Sequence, residues 1–554
     1  MSSRRDVLRA LIGSPLWLAT AGRTQWSQHD DAVADVVIVG GGLGGCAAAL
    51  AAAEHGLRVI LTEETAWIGG QLTAQAVPPD ENAWIETIGG TRRYRALRDG
   101  VRTWYREHAP LTTAARANAR LNPGRGWVSR LCAEPRVWLT VLHAQYAPHI
   151  ASGRLRILHH TRAVAADVTG DRVRAVSVRT RGAPRDTVLR APYFIDATEL
   201  GDLLPLTGTE FVTGAESRRE TGEAHAPEVA QPDNVQSFTV CFAMEHRPGE
   251  SHVIDRPAEY ATWRDCIPDP PSGPRLLSLD DETSRRIGFD PVARTGYWSY
   301  RRIIDRELFA PGAYASDVTL VNWGQNDYAF GSLLGDATSA AHHLTRAGAL
   351  SRSLLYWLQT ECPRADGGVG WPGLRLRPDI VGTEDGLSMA PYVREARRIR
   401  AVATIREEDV TVEGRMRETG ASRAQVTARV WPDSIGIGHY HLDLHRSTRG
   451  DASAYAETLP FQIPLGALVP QRVVNLLPAA KNIGTTHRSN GCHRLHPIEW
   501  AIGESVGVLV AQCIAQRTTP HAVHASRART ATLQGALATD GVPIAWPAPM
   551  PPGA

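Results

Sequence analysis

Apolar positions first gather in an uninterrupted run, Val36-Val37-Ile38-Val39, the pattern of a strand buried on both faces. Gly40-Gly41-Gly42-Leu43-Gly44-Gly45 follows, and the alanine-rich stretch from Cys46 to His55 predicts a helix that Gly56 closes. Arg58 to Thr62 predicts a second strand, ending at Glu63. Between residues 155 and 195 apolar and polar positions alternate in short runs, among them Ala163 to Val168, Val173 to Val178 and Thr187 to Leu189, which predicts a β-meander. Phe194-Ile195-Asp196 then leads as a strand into Ala197-Thr198. From about 206 to 468 the texture changes to long loops rich in Pro, Trp and Asp, with helices predicted near 338–360 and 391–400. The period-two run Ile435 to His445 predicts a strand with His439, His441, Asp443 and His445 on one face. Strand character returns at Val473 to Leu477, and Ile498 to Ala515 predicts an apolar helix. The last residues, 517–554, read as a loose tail, and no segment after the N-terminus is expected to span a bilayer.

The chain has 554 residues, 43% hydrophobic and 21% charged. That length accommodates a few domains at ~150 residues each. Its 60 basic side chains nearly balance 58 acidic ones, a net charge of +2, which argues against a nucleic-acid partner. Lys481 is the only lysine, so arginine bias explains every other basic position and leaves this one to be accounted for.

Ser3-Arg4-Arg5-Asp6-Val7-Leu8, a short apolar run to Leu18 and Ala19-Thr20-Ala21 resemble a twin-arginine signal segment over residues 1–30. A frayed N-terminal helix is the plainer alternative. The signal reading predicts a periplasmic or secreted protein loaded with a non-covalent group before export; without it the protein is expected in the cytoplasm. Seven cysteines at scattered positions show no C-x-x-C pair, and no metal is expected.

Gly40-x-Gly42-x-x-Gly45 gains meaning from its setting between a strand and a helix. The first glycine permits the tight turn, the second lets a pyrophosphate approach the backbone, and the third lets helix and strand pack closely. Glu63 stands where a carboxylate accepts from ribose hydroxyls and repels a 2′-phosphate. A second glycine turn, Trp67-Ile68-Gly69-Gly70-Gln71, the strand ending at Ala197-Thr198, and Lys481-Asn482 with Arg494 to Pro497 before the last helix favour FAD over NAD.

These stretches, with Tyr392 to Ile399, Asp433 to His445 and Ala480 to Gly507, resemble the FAD-dependent oxidoreductase family of the glutathione-reductase-like superfamily, from about residue 34 to 516. The resemblance implies an α/β fold: a Rossmann-like FAD-binding domain of glutathione-reductase type over 33–205 and 470–516, an inserted β-meander, and a mixed α+β substrate or cap domain over 206–469. It implies that Gly40, Gly42, Gly45, Glu63, Gly69 and Gly70 bind the ADP half, with Lys481, Asn482, Arg494 and Pro497 near the ribityl chain and ring. Gln71, Val164, Ala197 and Thr198 complete the cofactor set. Two departures stand out: Ala197-Thr198-Glu199 replaces the usual Ala-Thr-Gly, and Lys481 replaces the arginine common before Asn482.

A flavin that oxidises an alcohol or amine needs a base to take the O–H or N–H proton. His445, Asp443 and His441 are candidates, although alternate histidines on a strand also suit a metal or an exposed polar face. His487 and His496 are further candidates for base, anion stabiliser or covalent attachment point, with a hydrogen-bonding role behind the site as the plainer reading of each. Asn322, Trp323 and Asn326 suit a hydroxylated or ring substrate or else a turn with a packed tryptophan, while Arg394-Glu395-x-Arg397-Arg398 reads as a solvated ion-pair face on a helix. With a single dinucleotide turn, electrons are expected to enter from a small-molecule substrate and leave to oxygen, a quinone or a carrier. The expected function is an exported FAD-dependent dehydrogenase or oxidase. A flavin monooxygenase using external NAD(P)H and a non-catalytic electron-transfer subunit are the alternatives; an enzyme predicts a pocket lined by 322–328 and 435–445.

Overall fold

In the computed structural model the described residues are 31–269 and 273–550. The signal-like segment lies outside them. Val36–Val39 is the centre of a five-stranded parallel sheet, ordered Leu476–Pro478, Tyr193–Asp196, Val36–Val39, Val59–Thr62 and Leu155–Leu158. Alternate residues of the central strands serve two cores. Val36, Ile38, Val59 and Leu61 join the helical side, whereas Val37, Val39 and Ile60 join Val173, Val176 and Leu189 of the meander. A sheet covered on both faces calls for continuous apolar runs, as this sequence has.

The meander consists of Thr161–Thr169, Arg172–Thr180 and Thr187–Arg190, with Asp31–Val33 added in parallel to its edge. Leu155–Leu158, expected within it, belongs instead to the parallel sheet, paired with Val59–Thr62. On the helical side, Leu43–Glu54 is crossed by His496–Ala515. Their backbones meet at glycines: a Cβ on Gly503 would strike the Gly44 carbonyl, and one on Gly507 would stand 2.6 Å from the Ala48 carbonyl. By length and composition alone His496–Ala515 could cross a membrane, but 89% of its apolar stretch is buried inside the fold, as in a core helix, which accounts for its composition.

The intervening chain builds a four-stranded sheet, ordered Arg302–Ile304, Val318–Val321, Phe242–His246 and Leu374–Leu376. Ala337–Thr360 packs beside it and brings its own Trp357 into a core shared with Trp263, Trp298, Trp323 and Trp371. These tryptophans are core.

Three sequence expectations are corrected. Residues 391–400 form no helix: Tyr392 bridges to Thr239 and Arg398–Ile399 pairs with Phe211–Val212. The charges of Arg394, Glu395 and Arg398 are buried: Arg398 pairs with Glu395 and Glu216, and Arg394 with Asp327. The run 435–445 breaks into Ser434–Gly438, paired with Phe461–Pro464, and Leu442–Leu444, paired with Ala454–Ala456. His439 packs on Trp84 while His441 stacks on Tyr440, so the four polar groups share no single face. The C-terminal segment is no loose tail. Pro520–His524 and Arg527–Asp540 are helices whose Val523, Leu533 and Leu537 are fully buried, and Gln534 Nε2 donates to the Pro432 and Ser434 carbonyls at 3.0 Å.

Candidate active site

The first glycine turn is as crowded as its sequence implies. Gly40 has φ of 100°, and a Cβ there would collide with the Ala197–Thr198 backbone. Gly45 lies under the Gly40 carbonyl, and Gly42 starts the helix Leu43–Glu54 with no side-chain cap of its own; in the first turn Gly44 N donates to Glu499 Oε1 at 3.4 Å, and the helix N-terminus favours an anion there. Glu63 leaves the end of Val59–Thr62. Its Oε2 accepts from Gly41 N at 3.1 Å and its Oε1 from Thr65 N at 2.7 Å. Burial lifts its carboxyl to about 7 against the pull of those hydrogen bonds. The turn borders a cavity of about 150 Å³ that also touches Glu63, Gly70, Ala197, Thr198 and Val393. Backbone amides at a cradle too tight for any Cβ, with a carboxylate at the strand end, fit the pyrophosphate and ribose of a dinucleotide.

Other predicted cofactor residues take supporting positions. Gly69 turns the second glycine loop at φ of 105°, and Gln71 Nε2 donates to the Arg494 carbonyl and to Glu499 Oε2. Asn482 Nδ2 donates to the Asp196 carbonyl at 3.0 Å, and Pro497 occupies the first turn of His496–Ala515. Val164 does not border the cavity: it sits at a register shift between Ala163 and Ala165, and Thr161 and Arg162 take that place.

Lys481 and Glu199, the two departures from the family pattern, meet. The Lys481 side chain is fully buried; its Nζ pairs with Glu199 and lies 3.4 Å from Glu499 Oε2. Burial opposes its charge, Glu199 and Glu499 favour it, and the net shift is upward. Glu199 Oε1 lies 2.7 Å from where a Gly42 Cβ would stand and 3.1 Å from the equivalent point on Gly70, so the carboxylate reaches between the two glycine turns.

A second cavity of about 450 Å³ is lined by Asn322–Gln325 and by Tyr440, His441, Asp443 and His445. The two predicted segments therefore converge. Residues 390–394 separate the cavities: Ala390, Pro391 and Val393 border the first, Tyr392 and Arg394 the second. His445 is held on both sides, with Nδ1 2.5 Å from Asp327 Oδ2 and Nε2 3.2 Å from Asp443 Oδ2. Burial and Arg394 disfavour its charge, Asp443 and Asp327 favour it, and the net shift is upward. Burial alone would raise the Asp443 carboxyl, but His445 and Arg494 hold it well below the usual range. His441 differs. Stacked between Tyr440 and Tyr455, it is pushed down by burial, with Asp443 opposing, and so stays neutral near pH 7.

The remaining candidates fall elsewhere. His487 binds Glu395 at 2.9 Å and borders a separate cavity with Glu216 and Glu223. His496 accepts from Asp80 N at 3.1 Å and does not line the large cavity; burial drives its imidazole down to about 3. Asn326 is a turn residue: its amide donates to the Val240 carbonyl and Ser351, and its Oδ1 accepts from Trp323 N. Sequence reasoning missed Asp80, Tyr300, Arg301, Tyr392 and Tyr440 in the cavity wall. Tyr392 lay within a recognised motif; Arg301 carries no local signal. Among the described residues no group of three His, Cys, Asp or Glu side chains is placed to hold a metal ion.

A parallel sheet whose central strand turns through glycines into a helix, beside a large polar cavity, defines a dinucleotide-dependent redox enzyme. The chain belongs to the FAD dependent oxidoreductase family, whose profile matches residues 35–537; it is an oxidoreductase with FAD as cofactor. No curated protein matches the sequence. Among solved structures it is similar to a geranylgeranyl bacteriochlorophyll reductase-like protein from Thermoplasma acidophilum, at 11% identity over 92% of this chain and 85% of that one, TM-score 0.30. It is also similar to L-proline dehydrogenase from P. horikoshii, at 16% identity over 33% of this chain and 24% of that one, TM-score 0.17. The p-nitrophenol 4-monooxygenase of Pseudomonas putida DLL-E4 shares 16% identity over 39% of this chain and 48% of that one, TM-score 0.23. The chain thus spans less than half the length of these last two proteins.

Proposed function

We propose that the protein is an exported FAD-dependent dehydrogenase or oxidase that removes hydride from a C–H beside oxygen or nitrogen of a small polar substrate. The observation that carries this reading is the shared wall at 390–394, which sets a substrate-sized cavity directly against the nucleotide cavity. FAD supplies the hydride acceptor when bound. His441 takes the substrate proton, being a neutral imidazole at the large cavity. His445 serves as a fixed cation between Asp327 and Asp443, and Arg494 anchors Asp443 through a 3.0 Å contact. Electrons then leave to oxygen, a quinone or a carrier. The sheet, glycine turn and meander support a FAD-binding domain of glutathione-reductase type over 33–205 and 470–516, with 206–469 forming the substrate-binding part. The arginine pair Arg4-Arg5 supports export.

Anaerobic mixing of the flavin-loaded protein with panels of alcohols, amines, hydroxy acids, amino acids and sugars tests the reading. Bleaching of the flavin by at least one class is expected. A flavin that no member reduces, but that NAD(P)H does, rejects it.

A further inference from the structure

The large cavity is lined by three deeply buried arginines, and they are not equally engaged. Arg394 donates to Asp327 at 2.9 Å, to Asn322 at 3.2 Å, to Thr239 at 2.9 Å and to the Ser237 carbonyl at 3.0 Å. Arg494 donates to the Tyr392 hydroxyl at 2.7 Å and to Asp443 at 3.0 and 3.1 Å. Arg301 makes only long contacts: 3.4 Å to the Pro78 carbonyl, 3.4 Å to the Tyr300 hydroxyl and 3.5 Å to Asp80. Its Nε has no partner, as is true of Arg394 and Arg494, so the difference lies in its terminal nitrogens, and its guanidinium stands over the Tyr300 ring at 4.8 Å. A buried guanidinium held this loosely is far from satisfied, since burial raises the cost of every missing hydrogen bond.

The local charge balance points the same way. In the cavity wall Arg275, Arg301, Arg394, Arg446 and Arg494 confront Asp80, Asp281, Asp327 and Asp443, leaving one positive charge in excess before His445 is counted. A single negative charge on a ligand offsets that excess, and a planar carboxylate matches the guanidinium fork in two parallel hydrogen bonds. We propose that the large cavity takes a small substrate bearing one carboxylate, and that Arg301 is the side chain that grips it. The proposal rests on the cavity being the substrate site; it adds the class of substrate.

The test uses the flavin-loaded protein titrated with benzoate and acetate against their neutral amides, benzamide and acetamide. Flavin absorbance and tryptophan fluorescence report binding, since Trp323 lies in the cavity wall. At least one carboxylate is expected to bind tenfold or more tightly than its amide. Arg301→Met should erase that preference, and Arg301→Lys should keep part of it; flavin content and the thermal midpoint of each variant establish folding. Carboxylate and amide binding equally, no carboxylate binding, inorganic phosphate binding in preference to every carboxylate, or a preference that survives Arg301→Met overturns the proposal. If Arg301→Met does not fold, loss of all preference in folded Arg301→Lys supports the grip, and a preference unchanged there overturns it. Flavin bleaching by neutral alcohols with no carboxylate bound leaves the dehydrogenase reading standing and removes this inference. Carboxylate binding with no bleaching by any substrate class does the reverse.

Discussion

At the scale of single residues, two histidines four positions apart have opposite chemistry because of what surrounds them. His445 is fixed between carboxylates that favour its charged form, whereas His441 is buried among aromatic rings, where burial disfavours it. Since the His441 imidazole is pushed below the ordinary value of about 6.5, flavin reduction should stay constant through neutral pH and fall only as pH drops below that value. His441→Asn should lower the anaerobic reduction rate by roughly 10²-fold or more and remove that acid limb, read by stopped-flow absorbance. Lys481 makes a second case. It is the counter-charge to Glu199 at the glycine turns, so Lys481→Met leaves carboxylates facing the place where a pyrophosphate fits. Flavin bound per chain should fall in Lys481→Met and recover in Lys481→Met with Glu199→Gln; no recovery would assign Lys481 a role other than charge balance. The sequence marked Lys481 and Glu199 as odd but could not pair them, because side chains 282 positions apart leave no local pattern.

At the scale of elements, what was legible were segments whose pattern is dictated by their own burial. The strand Val36–Val39, the helix Leu43–Glu54 and the meander strands Thr161–Thr169, Arg172–Thr180 and Thr187–Arg190 read directly from apolar periodicity. Where tertiary contacts replace local ones, the pattern misleads. The charges at Arg394, Glu395 and Arg398 mimic helical spacing, yet each finds a partner buried in the fold. Alanine and threonine gave the C-terminal segment a loose character, while a few apolar side chains, Val523, Leu533, Leu537 and Val542, carry its packing. Leu537→Ala should therefore destabilise the protein by about 2 to 5 kcal/mol in a denaturant titration, whereas an unpacked tail would show no change.

For the whole molecule, the nucleotide turn is legible because its atoms lie within about thirty residues, while the large cavity is assembled from chain segments near 80, 300, 322, 392, 441 and 494. The sequence could nominate the 322 and 441 segments by composition, but nothing local announces Arg301. If export holds, Arg4→Lys with Arg5→Lys should leave the folded, flavin-loaded protein in the cytoplasm, checked by fractionation and visible colour.

The discontinuity of the parallel sheet also sets a timetable. Its edge strand Leu476–Pro478, the buried Lys481 and the helix that crosses Leu43–Glu54 all come late in the chain, although the glycine turn they complete is made almost at its start. During synthesis the turn emerges long before its neighbours. A ribosome-bound chain stalled before residue 476 should be unable to retain the flavin, so cofactor capture has to wait until the segment from Leu476 onward has emerged and closed over the glycine turn.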